Sequence, residues 1–206
     1  MTASGDGLLE FLEVMRRLRA ECAWKAGQTH RSLARYLLEE THETLEAIDT
    51  GDAELLREEL GDLLLQVYFH AVIAEESGEF TIDDVAGDII AKMRRRNPHV
   101  FGSEAESEAG SEAGSESAGT PQEINEVWES IKAAEKQRTS VTEGIPPTLP
   151  ALLYADKVID RLEREGRPAD VAGEGLGDRL LALVVEARAD GVDPEQALRD
   201  AVRRRL

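Results

Sequence analysis

The sequence predicts an all-α protein, an antiparallel helical bundle followed by a smaller second helical half. Leu, Ala, Glu and Arg dominate its 206 residues, aromatic residues make up only 4%, and no segment alternates β-branched residues as a strand would. Apolar residues recur instead at helical spacing. A chain of this length can bury a core and form one domain or two small ones.

Four helices are predicted in the first hundred residues, at roughly 7–20, 32–49, 53–77 and 81–96. Gly51 lies between the second and third helices, and Gly78 follows the third. Thr81, with acidic residues two and three positions later, is typical of a helix N-cap. Because the connections are short, consecutive helices should run antiparallel in a bundle.

Residues 103–120 differ in kind from the rest of the chain. They contain five glutamates, no basic residue and nothing larger than Glu. Such a segment cannot bury enough apolar surface to offset its ordering entropy, so we predict a disordered insertion. A further helix is expected at about 122–138, and the prolines at 146–150 mark a boundary. We therefore assign residues 1–140 to a first helical domain that includes the insertion, and 141–206 to a second half.

The second half resembles the first. Residues 60–64 (LGDLL) recur as 176–180 (LGDRL). In each half an apolar helix, a glycine-containing break, an Asp-rich helix start and three consecutive arginines follow in the same order. This order indicates an internal duplication. Chance similarity among Leu- and Arg-rich helices stays open as the alternative.

The charge of the chain limits its partners. With 24 Lys and Arg against 42 Asp and Glu, the net charge is −18, which argues against binding a nucleic-acid polymer through a basic surface. The single Cys22 excludes an internal disulfide and fits a reducing compartment. No apolar run approaches the length of a membrane span, and the N-terminus does not resemble a secretory signal. We expect a cytoplasmic protein without membrane contact.

One polar stripe runs along the otherwise apolar helix predicted at 53–77. Glu59, Gln66 and His70 fall within about 80° of Asp62 on a helical wheel, and the rest of the wheel is apolar. A helix that is apolar nearly all round is expected to be buried. Two carboxylates in such a helix are costly unless cations or a metal neutralise them, and no Lys or Arg lies one turn away on the stripe.

The preceding helix carries a complementary acidic face. Glu40 and Glu43 are three residues apart, so they share one face, and Glu39 lies beside them. Across a short turn they can meet Glu59 and Asp62, which gives four convergent carboxylates. An all-oxygen site without thiolate favours a hard cation, Mg²⁺ or Mn²⁺, over zinc.

Blander interpretations of these carboxylates stay open. The three glutamates alone could form a solvated face, and Glu59 and Asp62 alone could reflect a helix-start charge effect. A di-iron site would use Glu-x-x-His, as in Glu39 to His42, but it needs two copies and the chain has one.

A basic segment ends the fourth predicted helix. Lys92, Arg94, Arg95 and Arg96 place four cations within five positions of an acidic chain. They could simply complement the helix dipole. Lys92 and Arg96 are one turn apart, however, and could both face one anion. A hard cation next to cationic side chains suits a polyphosphate.

Together these motifs resemble a known family. EExxE at 39–43 followed by ExxD at 59–62 is similar to the metal-binding pattern of the MazG-type nucleoside triphosphate pyrophosphohydrolases, an all-α superfamily of Mg²⁺-dependent nucleotide pyrophosphatases. The resemblance covers roughly residues 7–102 and 122–155. It extends through the motifs CAW at 22–24, QTH at 28–30, ELGDLL at 59–64, KMRRRNPHVF at 92–101 and WExIK at 128–132.

The resemblance implies hydrolysis of a (d)NTP to (d)NMP and pyrophosphate, and it implies a role for each motif. The implied metal ligands for Mg²⁺, with Mn²⁺ as a substitute, are Glu40, Glu43, Glu59 and Asp62. Glu39 would orient or deprotonate the attacking water. Lys92 and Arg96 would bind phosphates, with Arg95 as a weaker candidate. The nucleotide pocket would be lined by Trp24 and closed by Trp128 and Lys132, although both tryptophans could equally be ordinary core or interface aromatics. A homodimer is also implied.

The sequence departs from the family pattern in three places. The family's Cys-Pro-Trp-Asp is here Cys-Ala-Trp-Lys, so Lys25 reverses a charge. The acidic insertion separates the basic segment from Trp128. The second half lacks EExxE, has Gly175 where the first has Glu59, and retains only Asp178 of the four ligand positions. We therefore predict one catalytic half and one degenerate, structural half.

Two alternative functions stay open on the sequence. One is a non-catalytic helical interaction or regulatory protein that retains the bundle without turnover. The other is the related phosphoribosyl-ATP pyrophosphohydrolase reaction, which breaks the same kind of bond. No base-reading motif separates the nucleotide substrates.

Overall fold

The computed structural model describes residues 5–102, 119–136 and 138–205, and every regular element in these ranges is a helix. The elements are α1 (Asp6–Glu21), α2 (Ala23–Ala26), α3 (His30–Thr50), α4 (Ala53–Ser77), α5 (Ile82–Arg96), α6 (Pro98–Phe101), α7 (Pro121–Glu135), α8 (Ala151–Arg164), α9 (Leu176–Ala189) and α10 (Pro194–Arg203). The chain divides into two compact units, Met1–Trp128 and Glu129–Leu206. A search of the described residues for a helix with the length and hydropathy of a bilayer span found none.

The predicted all-α class is confirmed. The four helices predicted in the first hundred residues are all present, with ends within two residues of the predicted ones. The two short helices α2 and α6 were missed, because four residues are too few to show a helical period. The predicted disordered insertion lies outside the described residues except for Gly119 and Thr120.

Local hydrogen bonds fix the hairpin of α3 and α4. The hydroxyl of Thr29 accepts from the Ser32 amide at the start of α3, and the Asp52 carboxylate accepts from the first amides of α4. Between the helices, Gly51 adopts φ 71°, a left-handed conformation that costs a glycine little. This tight turn makes α3 and α4 antiparallel neighbours. At α5 the predicted cap is confirmed, since Thr81 forms a capping box with Asp84.

The core of the first unit lies between α1, α3 and α4. Its buried members are Leu12, Met15, Leu33, Tyr68, Phe69 and Val72. The prediction that α4 is buried all round is wrong for one side of the helix, because Leu60 and Val67 are 52% and 43% exposed. Helices α1, α3 and α5 contact α4, but they leave this side of it open to solvent. Glu59 and Asp62 lie on the other side of α4, where both are half-buried.

The second unit packs α8, α9 and α10 against one another. Ile145, Ile159 and Val184 are buried there. Arg188 of α9 donates hydrogen bonds to the carboxylates of α8. The second unit thus has both a small apolar core and an internal ion-pair network.

Candidate functional site

Three carboxylates converge where α3 faces α4. Glu40 and Glu43 of α3 and Glu59 of α4 each offer an oxygen, and these oxygens all lie within 4.8 Å of one another. Glu40 and Glu59 are half-buried, whereas Glu43 is exposed. Oxygens at this spacing can share one cation, so the arrangement is a candidate metal centre.

One oxygen of this cluster lacks a protein partner. Glu59 Oε2 is buried and accepts no hydrogen bond. Within the described ranges, no Lys or Arg forms an ion pair with Glu40, Glu43 or Glu59. A buried carboxylate oxygen without a donor is costly, and a bound cation would remove that cost.

The electrostatics of the cluster disfavour full ionisation. Burial raises the pKa of Glu40, and the neighbouring charges of Asp62, Glu43 and Glu59 raise it further. Burial also raises the pKa of Glu59, together with the charges of Glu43 and Asp62. Carboxylates that raise one another's pKa in this way form a site that a divalent cation would stabilise.

The other acidic residues predicted for the site lie around this cluster. Asp62 is close enough to act on the pKa of both Glu40 and Glu59, but in the part of the chain described here it is not part of the group within 4.8 Å. Glu39, the predicted base, is exposed on α3 immediately before Glu40. The structure therefore brings together three of the four predicted ligands most closely and places Asp62 next to them.

The basic segment lies at the end of α5. Arg96 is buried at 8% exposure, and its guanidinium carbon lies 5.4 Å from the centroid of the Trp128 ring. This is the geometry of a cation–π contact. Lys92 is half-buried one turn before Arg96, and Arg95 is exposed. The structure thus pairs two of the predicted substrate-binding residues, Arg96 and Trp128.

Trp24 lies in the short helix α2, between α1 and α3. The residue is 52% exposed, and its ring meets that of Tyr36 edge-on, with the centroids 6.1 Å apart. The Lys25 ammonium lies 5.4 Å from the centroids of both Trp24 and Phe69. Since Tyr36 precedes Glu40 by one turn of α3, it links the Trp24 segment to the acidic cluster.

The remaining predicted residues have local partners. Lys132 donates to Glu129 in α7, at 2.7 Å and 3.0 Å from the two carboxylate oxygens. In the second unit the Asp178 carboxylate accepts from the Gly175 amide at 3.0 Å and so caps α9. The assignment of Lys132 to substrate and of the second half to a structural role both stay predictions.

Sequence reasoning missed two features near the site. Arg19 holds the segment that carries Trp24, but nothing in the sequence distinguishes it from the other arginines of α1. His30 and His70 form a hydrogen bond between their Nδ1 atoms at 2.7 Å, a pairing that no spacing in the sequence indicates. Burial lowers the pKa of His70, and His30 lowers it further.

Comparison with known proteins gives a consistent match. The MazG nucleotide pyrophosphohydrolase domain matches residues 28–101. An uncharacterized 26.1 kDa protein from Streptomyces cacaoi is 47% identical, over 96% of this chain and 78% of that protein. A nucleoside triphosphate pyrophosphohydrolase from Mycobacterium tuberculosis is 42% identical, over 96% of this chain and 55% of that protein.

A third relative is matched over most of both chains. The nucleoside triphosphate pyrophosphohydrolase/pyrophosphatase MazG from Thermotoga maritima is 37% identical, and the match covers 99% of this chain and 84% of that protein. The domain match also spans all the acidic residues of the candidate metal centre and the basic end of α5. The chain therefore belongs to the MazG nucleotide pyrophosphohydrolase family and is a hydrolase.

Proposed function

We propose that this protein is a Mg²⁺-dependent nucleoside triphosphate pyrophosphohydrolase that converts a (d)NTP and water to (d)NMP and pyrophosphate. The observation that carries the proposal is the convergence of Glu40, Glu43 and Glu59 within 4.8 Å, with a buried oxygen of Glu59 left without a partner. Clearing unwanted nucleotides from the pool is the cellular role that we infer from this reaction.

The residues present fit a magnesium site. All the donors are carboxylate oxygens, which Mg²⁺ and Mn²⁺ prefer. Asp62, next to the cluster, is the fourth proposed ligand. When bound, the ion supplies charge stabilisation to the phosphate oxygens of the substrate.

The chain's own side chains would position the other reactants. Glu39 is exposed beside the cluster and could accept the proton of the attacking water. Attack at the α-phosphorus breaks the bond to the bridging oxygen, and pyrophosphate leaves. Lys92 and Arg96 would hold the phosphates, with Arg95 as the weaker candidate.

The nucleoside is assigned to the aromatic residues. Trp24 presents a half-exposed ring one residue from a cation, and Trp128 lies against Arg96. Stacking on such rings recognises any base by its π-face. Lys132 is proposed to close the pocket.

We also propose a cytoplasmic homodimer. Leu60 and Val67 lie seven residues apart, hence on one face of α4, and both are exposed although the helix is otherwise strongly apolar. Leu37, Leu38 and Ile48 of the adjoining α3 are exposed as well. An apolar surface spread over two packed helices is typical of an interface with a second copy. The single Cys22 rules out an internal disulfide, which fits a reducing compartment.

The proposal is tested by product analysis with isotope labelling. The protein is incubated with each (d)NTP and Mg²⁺ in ¹⁸O-water, the products are separated, and the mass of each is measured by mass spectrometry. Monophosphate carrying the label, with unlabelled pyrophosphate, supports attack at the α-phosphorus. Diphosphate with phosphate contradicts the proposal. The absence of product from every (d)NTP also contradicts it. In that case the protein is incubated with phosphoribosyl-ATP: hydrolysis indicates the related pyrophosphohydrolase reaction, and no hydrolysis indicates a non-catalytic protein.

A further inference from the structure

The Arg19 guanidinium is almost enclosed at the end of α1. Its side chain is 9% exposed and donates two hydrogen bonds to the carboxylate of Glu76 on α4. One comes from Nε at 2.8 Å and the other from Nη2. The guanidinium carbon also lies 5.9 Å from the centroid of Phe69. Arg19 is therefore anchored to the core helix before it contacts the segment that follows α1.

The remaining terminal nitrogen of Arg19 contacts that segment. It donates to the carbonyls of Ala26 and Gln28, each at 3.1 Å, and to the carbonyl of Lys25. Three carbonyls at the end of α2 thus converge on one cationic donor. Because one nitrogen of a guanidinium that is itself anchored to α4 donates to all three carbonyls, this contact determines how the segment is held.

The same segment is tied down from its other side. The side-chain amide of Gln28 donates from Nε2 to the Trp24 carbonyl at 3.0 Å. The Ser32 hydroxyl donates to Oε1 of the same side chain at 2.7 Å. Trp24 therefore lies in a segment that is held both by Arg19 and, through Gln28, by the first turn of α3. Trp24 is nevertheless 52% exposed. A rigidly held aromatic ring that faces solvent is what a stacking surface requires.

We propose that Arg19 is a positioning residue for nucleotide binding, which it serves by holding the α2 segment so that Trp24 presents its ring to the base. This rests on the proposed function, because Trp24 serves a nucleoside only if the substrate is a nucleotide. Arg19 acts through the segment and does not touch the acidic cluster. Its loss should therefore weaken substrate binding and leave the chemical step nearly unchanged.

The geometry requires arginine at this position. The planar guanidinium sends two donors to Glu76 and, from the remaining nitrogen, a donor to the α2 carbonyls. A lysine ammonium is a compact group that cannot span both partners. Arg19→Lys should therefore behave like Arg19→Gln despite keeping the charge.

The chain offers a matched control one turn earlier. Arg16 also joins α1 to α4 through two hydrogen bonds to one carboxylate, that of Glu75, at 2.6 Å and 3.1 Å. In the described part of the chain Arg16 pairs with Glu75 and Glu13, and neither lies in the α2 segment. Arg16→Gln therefore removes an ion pair between the same two helices without loosening the segment that carries Trp24.

The first measurement is steady-state kinetics on the full chain. Arg19→Lys and Arg19→Gln should raise KM for the nucleotide about 10-fold, as part of the stacking interaction is lost, with kcat changed less than about twofold. Arg16→Gln should change neither value. A fall in kcat at unchanged KM contradicts the proposal, and so does an equal rise in KM for Arg16→Gln.

The second measurement does not need activity. In a Trp128→Phe background Trp24 is the one remaining tryptophan of the two in the chain. Acrylamide should then quench its fluorescence more strongly in Arg19→Lys, and equally to the parent in Arg16→Gln. If the parent hydrolyses no nucleotide, the proposed function fails while this comparison still decides whether Arg19 holds the segment. If Arg19→Lys does not fold, Glu76→Gln, which removes the anchor of Arg19, should give the same rise in quenching. Unchanged quenching in the folded variant contradicts the proposal.

Discussion

Both compact units place acidic side chains three or four residues apart on one helix, and they differ in what faces them. In the first unit Glu40 and Glu43 of α3 face Glu59 of α4. In the second, Asp160 and Glu163 of α8, which have the same three-residue spacing, face Arg188 of α9. The acidic pattern is similar, whereas the facing helix contributes a carboxylate in one unit and a guanidinium in the other.

One guanidinium pairs with three carboxylates in the second unit. Arg188 donates to Asp156 at 2.6 Å, to Asp160 at 3.1 Å and to Glu163 at 2.9 Å, with its own side chain 19% exposed. Arg164 also pairs with Asp160, at 3.1 Å. These carboxylates have protein partners and need no further cation.

The pKa values of the two regions move in opposite directions. Burial and neighbouring carboxylates raise the pKa of Glu40 and of Glu59. Burial would also raise the pKa of Asp160, but the hydrogen bonds and charges of Arg164 and Arg188 outweigh it and lower that pKa. The difference teaches that acidic spacing on one helix does not define a metal site. The group opposite decides whether the cluster can accept a cation or already holds one.

The largest expected effect that tests this difference between the two acidic regions is that of Glu59→Gln. Removing one charged ligand from the acidic cluster should lower kcat/KM by about 100-fold or more, since even residues that only orient metal ligands contribute 10- to 100-fold. Far-ultraviolet circular dichroism should show unchanged helix content. The measurement is pyrophosphate release with Mg²⁺ at saturating nucleotide and at low nucleotide. Activity within a few-fold of the parent would mean that Glu59 holds no ion.

The two regions also differ in how much of their side-chain arrangement could be predicted from the sequence. The α3–α4 cluster could be predicted because a short turn and the spacing of glutamates fix which faces meet. The helical wheel gives angles only, so it did not show that Glu40, Glu43 and Glu59 come closer together than Asp62 does. Arg188 could not be predicted, because its partners lie 25 to 32 residues away along the chain.

The prediction for Arg188→Met concerns stability. It removes the group that joins all three carboxylates of α8 and leaves only Arg164, paired with Asp160, among them. Breaking such partly exposed pairs should cost about 2 kcal/mol, below the range for fully buried ones. Urea unfolding of the full chain, followed separately for each unit by hydrogen exchange, measures this. The loss should be confined to the second unit. A stable variant would mean that the ion pairs contribute little and that the contrast between the regions is weaker than the structure indicates.

Removing the charge of one carboxylate in each region should change Tm at pH 7 in opposite directions. The pKa of Glu59 is raised on folding, so at neutral pH its ionised form opposes folding in the metal-free protein. Metal-free Glu59→Gln should therefore have a higher Tm than the parent at pH 7, and the gain should shrink as pH falls through the folded pKa. Asp160 has a lowered pKa, so it stabilises the fold above its unfolded pKa of about 3.9 and loses this as pH falls further. Asp160→Asn should accordingly lower Tm at pH 7.

These two Tm differences are read by calorimetry between pH 3 and pH 8 in the presence of a chelator. Saturating Mg²⁺ should then raise the Tm of the parent and leave that of Glu59→Gln nearly unchanged, because an ion stabilises only the form that binds it. Differences of the same sign at pH 7 for Glu59→Gln and Asp160→Asn would remove the electrostatic contrast between the regions.

The smallest effect is expected for Asp178→Asn. Asp178 aligns with Asp62 in the repeated LGD motif, but its carboxylate caps the start of α9 by accepting from the Gly175 amide. Because the side-chain oxygen of asparagine can accept the same hydrogen bond, the free energy of unfolding should change by about 0.5 kcal/mol or less. The kcat and KM for nucleotide should stay within the error of the parent values, whereas Asp62→Asn in the first unit should lower activity. A large loss of activity in Asp178→Asn would instead show that the second helical half takes part in the reaction, and that a single acidic residue retained from the repeat is enough for it to do so.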